Sequence, residues 1–89
     1  MADFRIVLTE EAQSDIRKLE TRLQNRILDK LEWIGANATL LRHQSLQGDK
    51  WKNTCKYRIG DYRIIYRLNH QDRVLTVLKV GHRRDVYRF

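Results

Sequence analysis

The hydrophobic residues of this chain change their spacing near residue 50, from a helical repeat to an alternating one. Between Ala12 and Ile34 apolar residues recur every three or four positions, which predicts amphipathic helices. From Trp51 onward they alternate with polar residues, as is typical of half-buried strands. A chain of 89 residues forms one domain around a modest core. With a short strand at residues 4–8 in front, the pattern predicts a single α+β domain spanning residues 1–89.

The predicted architecture is an N-terminal strand, a helical hairpin and a three-stranded antiparallel meander. Together these elements form a four-stranded sheet with the helices on one face. Thr9 is the predicted N-cap of the first helix, because its hydroxyl can accept a hydrogen bond from the first turn. The helical pattern is long for a small domain, so we expect a break at Glu20 and Thr21, with Thr21 capping a second helix. Gly35 is the expected end of that helix, and residues 36–50 are the expected connection.

A two-residue turn of Gly60 and Asp61 joins the first two strands of the predicted meander. Such a short loop fixes the register, and it places Arg58 directly opposite Arg63. One face of this hairpin is apolar and packs on the helices. The other face is basic and carries Lys52, Lys56, Arg58, Arg63 and Arg67. Because like charges directly opposite each other destabilise a strand pair, this face calls for an anion, and phosphate matches the arginine fork.

The composition points to the same class of ligand. The chain carries 18 Lys and Arg against 11 Asp and Glu, a net charge of +7. A small protein this basic typically meets a polyanion, and nucleic acid is the first expectation. The single cysteine, Cys55, excludes an internal disulfide and lies on the predicted core face. Without a metal-ligand spacing, a secretory signal or a membrane-length apolar run, we expect a cytoplasmic protein that needs neither metal nor cofactor.

The C-terminal residues concentrate groups that bind phosphate and transfer protons. Gly81 follows the third predicted strand, residues 74–80, and lets the backbone bend. After it come His82, Arg83, Arg84, Tyr87 and Arg88. Metal-free RNA cleavage needs such groups, because a base must take the proton of the attacking 2′-hydroxyl, cations must neutralise the phosphate, and an acid must protonate the leaving 5′-oxygen. The loop before this strand is irregular, so the face on which Lys79 lies is not predicted.

Residues 57–66 (YRIGDYRIIY), followed by residues 80–87 (VGHRRDVY), resemble the RelE/ParE superfamily of bacterial toxins. The resemblance covers nearly the whole chain, including the helical hairpin and the segment Leu46-Gln47-Gly48. It implies a compact toxin of a type II toxin–antitoxin system that a cognate antitoxin neutralises. For the RelE-like branch it implies a metal-independent endoribonuclease that cleaves messenger RNA in the ribosomal decoding site and inhibits translation, in a bacterial or archaeal cytoplasm.

The resemblance also implies roles for individual residues. The implied catalytic residues are Lys56, Arg63, Arg83 and Tyr87. Arg63 would stabilise charge on the reacting phosphate, Arg83 would lie near the phosphate and leaving group, and Tyr87 would stack on the substrate nucleotide or take its proton. The expected RNA contacts are Lys52, Arg58, Arg67, His82 and Arg84.

The general base and the activity itself are left open by the residues. Thr54 stands where the best-known RelE pattern has a second lysine, so the base remains open among Lys56, Tyr87 and His82. A ParE-like toxin that poisons DNA gyrase without cutting RNA would use the same fold. A basic RNA-binding module with no catalytic activity is the third hypothesis.

Overall fold

The computed structural model describes residues 3–46 and 53–82. In chain order the elements are β1 (Arg5–Leu8), α1 (Glu10–Arg17), α2 (Thr21–Ala36), β2 (Gln44–Ser45), β3 (Thr54–Ile59), β4 (Tyr62–Asn69) and β5 (Val74–His82). The strands form one sheet in the order β1-β5-β4-β3-β2, in which β1 is parallel to β5 and the other pairs are antiparallel. The predicted α+β fold is confirmed, with one strand more than expected, because the connection after the helices contains β2.

The break between the two helices lies where the sequence predicted it, but its capping differs. Thr9 caps α1 as expected, with its Oγ1 accepting from the Ala12 N–H at 3.1 Å. Thr21 does not cap α2: it is already the first helical residue, and Glu20 occupies the N-cap position in an extended conformation. The side chain of Glu20 makes no capping hydrogen bond. Gln24 ties the turn together instead, since its Nε2 donates to the Leu19 carbonyl at 2.7 Å.

Gly35 allows α2 to approach β1 closely, and it does not end the helix as predicted. The helix continues to Ala36, and Asn37 is its C-cap. A Cβ at position 35 would lie 2.8 Å from Ile6 Cδ1 and 3.0 Å from the Phe4 carbonyl oxygen. The Gly35 carbonyl also accepts from the Phe4 N–H at 3.1 Å. The glycine is therefore required by packing, a constraint that local helix-end signals do not contain.

The core lies between the helices and one face of the sheet, as expected. Its completely or almost completely buried side chains include Ile27, Leu31, Ile34, Ile64, Tyr66, Leu75 and Val77. They come from α2, β4 and β5, so the helical and alternating repeats of the sequence meet in one cluster. Burying an aliphatic side chain of this size contributes about 1.5–3 kcal/mol, which makes this side the main source of stability.

Helix α1 covers the edge of β5 where β1 ends. The pairing of β1 with β5 stops at Val77. Beyond it, the Val80 N–H donates to Asp15 Oδ2 at 3.0 Å. The Lys79 ammonium lies 3.5 Å from a Glu11 carboxylate oxygen and 3.9 Å from Asp15 Oδ2. The structure thus settles the position of Lys79, whose charge is compensated by α1.

The hairpin of β3 and β4 has the predicted register. Arg58 pairs with Arg63 across the strands, and Gly60 in the turn has φ +57°, in the left-handed region that favours glycine. The next pair, β4 with β5, contains a register shift between Ile65 and Tyr66. Strand β5 extends to His82, two residues past its predicted end.

Candidate functional site

Among the described residues, three cations and one amide line a small pocket of about 220 Å³ on the face of the sheet away from the core. They are Gln44, Lys56, Arg58 and Arg63. The strand register explains their proximity, because Gln44 pairs with Lys56 and Arg58 pairs with Arg63. Lys56 and Arg58 are two positions apart on β3 and therefore point to the same face. We call this group the cation pocket.

The cation pocket combines fixed positive charge with partial access to solvent. Arg58 is exposed and donates from Nε to the Gly60 carbonyl at 3.1 Å, whereas Lys56 and Arg63 are half-buried. None of the described residues that line it carries a carboxylate. Since like charges across a strand pair repel, an anion seated here would lower the electrostatic energy of the folded chain. Arginine forks and a lysine ammonium suit a phosphate group.

The outward face around the cation pocket is partly apolar. Ile65, which pairs with Lys56, is fully buried, although it lies outside the main core cluster. Thr54, at the position where the RelE pattern has a lysine, has a relative exposure of 2%. It therefore offers no accessible group to a substrate, and a proton acceptor must come from another residue.

A larger pocket of about 450 Å³ adjoins the cation pocket and shares Gln44, Lys56 and Arg58 with it. Its other lining residues are Leu41, Arg42, His43, Tyr57 and Tyr66. It opens beside β3 because β2 pairs only with Cys55 and Lys56, which leaves the edge of β3 uncovered by β2 beyond them. We call it the edge pocket.

His43 connects β2 to the core through both of its ring nitrogens. Nε2 lies 2.7 Å from the Ala38 carbonyl, which can only accept, so Nε2 carries a proton and donates. In the neutral ring Nδ1 then accepts from the Tyr66 hydroxyl. Burial raises the pKa of Tyr66 well above its usual value, so the phenol keeps the proton it donates. Sequence reasoning missed this role, since the partners are 23 positions apart.

Two of the predicted RNA contacts lie away from the cation pocket. Arg67 lines a separate open pocket of about 570 Å³, together with His43 and His70. His82 pairs with Tyr62, with ring centroids 5.7 Å apart, and lies in a pocket with Asp15 near α1. The predicted site residues Lys52, Arg83, Arg84 and Tyr87 lie outside the described residues.

The described residues give little support for thiol or metal chemistry. Burial raises the pKa of the Cys55 thiol and so disfavours the nucleophilic thiolate, and its side chain packs against the core. Within residues 3–46 and 53–82, no three His, Cys, Asp or Glu side chains lie together as metal ligands. No helix in the same ranges is long and apolar enough to cross a membrane.

Comparison with solved structures places the fold among toxins of toxin–antitoxin systems. A chain of the RelBE2 toxin–antitoxin complex from Mycobacterium tuberculosis superposes with a TM-score of 0.82 at 23% identity, covering 96% of this chain and 97% of that one. The isolated RelE toxin of E. coli gives 0.72 at 23% identity, with 91% and 84% covered. A chain of the E. coli DinJ-YafQ toxin–antitoxin complex gives 0.72 at 22% identity, with 97% and 99% covered. These likenesses establish the fold.

The family follows from the sequence itself. Among curated proteins no sequence matches this chain significantly. Residues 6–87 match the family model described as the ParE toxin of the type II toxin–antitoxin system, parDE. The match spans both helices and all of the sheet except Arg5, including the strands that build the cation pocket. This chain therefore belongs to the ParE toxin family of type II toxin–antitoxin systems, within the RelE/ParE superfamily.

Proposed function

We propose that this toxin is a metal-independent endoribonuclease that cleaves messenger RNA on the ribosome and so inhibits translation. The observation that carries the proposal is the cation pocket, on which Lys56, Arg58 and Arg63 converge from two paired strands. Two guanidinium forks and one ammonium group on the same face suit a phosphate group of a substrate.

The proposed reaction is attack by a ribose 2′-oxygen on the adjacent phosphorus. The 2′-hydroxyl gives up its proton to a base, the bond to the 5′-oxygen of the next nucleotide breaks, and that oxygen takes up a proton, which leaves a 2′,3′-cyclic phosphate and a 5′-hydroxyl. Arg58 and Arg63 stabilise the negative charge that builds on the phosphate oxygens. Among the described lining residues Lys56 is the group that can exchange a proton, since arginine stays protonated. Arg83 near the leaving group and Tyr87 as a stacking group or alternative base complete the proposal.

The proposed partner in the cell is a cognate antitoxin. Two of the three solved structures compared above come from toxin–antitoxin complexes, and the family is defined by such systems. An acidic or amphipathic antitoxin segment would neutralise the exposed cations and block access to the cation pocket. The remaining partners would be messenger RNA and the ribosome, in the cytoplasm of a bacterium or archaeon.

A second candidate function is poisoning of DNA gyrase without RNA cleavage. The match to the ParE family model favours it. The cation pocket would then meet the phosphates of DNA or an acidic surface of the enzyme. Because both activities use this fold, function must be separated by assay.

The deciding experiment adds the purified toxin to a bacterial translating extract and maps messenger RNA 5′-ends by primer extension. The proposal expects cleavage within the codon in the decoding site, new 5′-hydroxyl ends, and at least a hundredfold loss of rate in Arg63→Ala, in the range for removing a stabilising group in the transition state. Arg22→Ala, which removes an exposed cation from α2, is the matched control and should cleave normally.

Two other results would overturn the nuclease proposal, and a third would overturn its assignment to the cation pocket. Intact messenger RNA together with trapped gyrase–DNA cleavage complexes would select the gyrase function. Tight, salt-dependent RNA binding without a cyclic phosphate product would select a non-catalytic RNA-binding protein. Full cleavage by Arg63→Ala would remove the cation pocket from the mechanism.

A further inference from the structure

The edge pocket has the size and lining of a site for a planar aromatic ligand. Its volume of about 450 Å³ falls within the range of roughly 300–1,000 Å³ that is usual for small-ligand sites. Tyr57 and Leu41 give it an aromatic and an apolar surface. We propose that it binds the nucleobase next to the scissile phosphate, an inference that rests on the proposed nuclease function.

The shared residues of the two pockets set the distance between base and phosphate. Gln44, Lys56 and Arg58 line both pockets, so one ligand can occupy both at once. Such a ligand must carry an anionic group beside a flat, largely apolar group. A nucleotide has this combination, and single-stranded RNA is commonly bound by aromatic stacking next to a basic groove.

The wall of the edge pocket is fixed before a ligand arrives. His43 uses both ring nitrogens within the protein, one toward Ala38 and one toward Tyr66. Its ring therefore offers a surface for contact rather than hydrogen bonds to a base. The Lys30 ammonium lies 5.7 Å from the centroid of the Tyr57 ring and supports that ring from α2. A preformed wall lowers the entropy cost of ordering a base.

Arg42 and Gln44 are then the lining residues that would hydrogen-bond the edge of the base. Both are exposed residues at the rim, on the segment that leads into and forms β2. Arginine presents a planar fork of donors, and glutamine presents both a donor and an acceptor. Tyr57 would supply the stacking surface, and the cation pocket would hold the phosphate.

The test measures how much contact with the nucleobase contributes to kcat/KM for cleavage. Ribosomes are programmed with a synthetic messenger RNA whose decoding-site codon is intact or carries one abasic ribonucleotide, placed on the 5′ or the 3′ side of the scissile phosphate. The wild-type toxin should lose about 5- to 150-fold in kcat/KM with one of the two abasic codons, the worth of one stacked base. Tyr57→Leu should have a low kcat/KM on the intact codon, and this kcat/KM should fall little further on the abasic codon. Tyr57→Phe should restore both the wild-type kcat/KM on the intact codon and its fall on the abasic one.

Arg42→Ala gives an independent variant at an exposed position, so its folding is not at risk. It should reduce the ratio of kcat/KM on the intact codon to kcat/KM on the abasic codon. Arg22→Ala should leave this ratio unchanged, and Arg63→Ala should lower kcat/KM by the same factor on both substrates. An unchanged ratio in Tyr57→Leu and Arg42→Ala, with cleavage still dependent on Arg63, would overturn the base site and leave the nuclease proposal standing. No cleavage of the intact codon by the wild-type toxin would overturn both.

Discussion

Two groups of cations on the sheet have different surroundings. Lys79 on β5 lies against α1, where Glu11 and Asp15 place carboxylates within 4 Å of its ammonium. On β3 and β4, Arg58 and Arg63 lie directly opposite each other, and none of the described residues that line their pocket carries a carboxylate. The Lys79 charge therefore lies beside opposite charge, whereas the two arginines lie beside like charge.

This difference separates residues that stabilise the fold from residues that serve the site. The apolar core and the ion pairs between α1 and the edge of β5 hold helices and sheet together. In the cation pocket, the paired arginines oppose the strand pairing that brings them together. Substitutions in the core or at the α1 contact should therefore change stability, and substitutions in the cation pocket should change activity while leaving stability nearly constant.

The largest expected effect is on the core side. Leu31→Ala removes a side chain that is 1% exposed and should lower the free energy of unfolding by about 2–5 kcal/mol, because it leaves a cavity between α2 and the sheet. Leu28→Ala, on the same helix but 39% exposed, is the matched control and should cost much less. Urea denaturation followed by circular dichroism measures both. Equal losses in the two variants would contradict the placement of the core.

An intermediate effect is expected where α1 covers the edge of β5. Asp15→Ala removes the acceptor of the Val80 N–H and one of the carboxylates near Lys79. It should cost about 1–3 kcal/mol, since a part-buried backbone donor loses its acceptor and the Lys79 ammonium loses one of its two nearby carboxylates. Asp15→Asn keeps an acceptor and should recover part of this loss. Hydrogen exchange of the Val80 amide gives a local readout, and an unchanged rate in Asp15→Ala would argue against the contact.

The elements that the sequence predicted well are those fixed by local rules. The Gly60-Asp61 turn sets the hairpin register, and with it the face shared by Lys56, Arg58 and Arg63. The Thr9 cap and the helix break near Glu20 also follow from neighbouring residues. These local signals were sufficient to predict that Lys56, Arg58 and Arg63 share a face of the hairpin.

The parts that the sequence did not predict depend on distant contacts. Strand β2 has two residues, which is too short for an alternating pattern to be recognised in the sequence. The presence of Gln44 in the cation pocket was therefore not predicted. The register shift between Ile65 and Tyr66 decides how β5 lies against β4, so the positions of Lys79 and His82 needed the structure. Gly35 was predicted to end α2 because glycine is common at helix ends. Its actual role, a close contact with Ile6, is a tertiary contact that neighbouring residues do not reveal. The roles of Arg83 and Tyr87 stay predictions.

The smallest expected effect has the opposite sign and tests the outward side directly. Arg58→Ala removes one of two like charges that face each other across β3 and β4, so it should leave the free energy of unfolding unchanged or raise it by up to about 1 kcal/mol. Any increase in the free energy of unfolding should be smaller in 1 M salt, where the screening length is only about 3 Å. Arg67→Ala is the control for strand propensity, because Arg67 pairs with Thr54 and Thr76 and has no cation opposite it. If Arg58→Ala instead lowers stability at low salt by more than Arg67→Ala does, Arg58 stabilises the fold, and the division between cations that stabilise the fold and cations that serve the site fails at this residue.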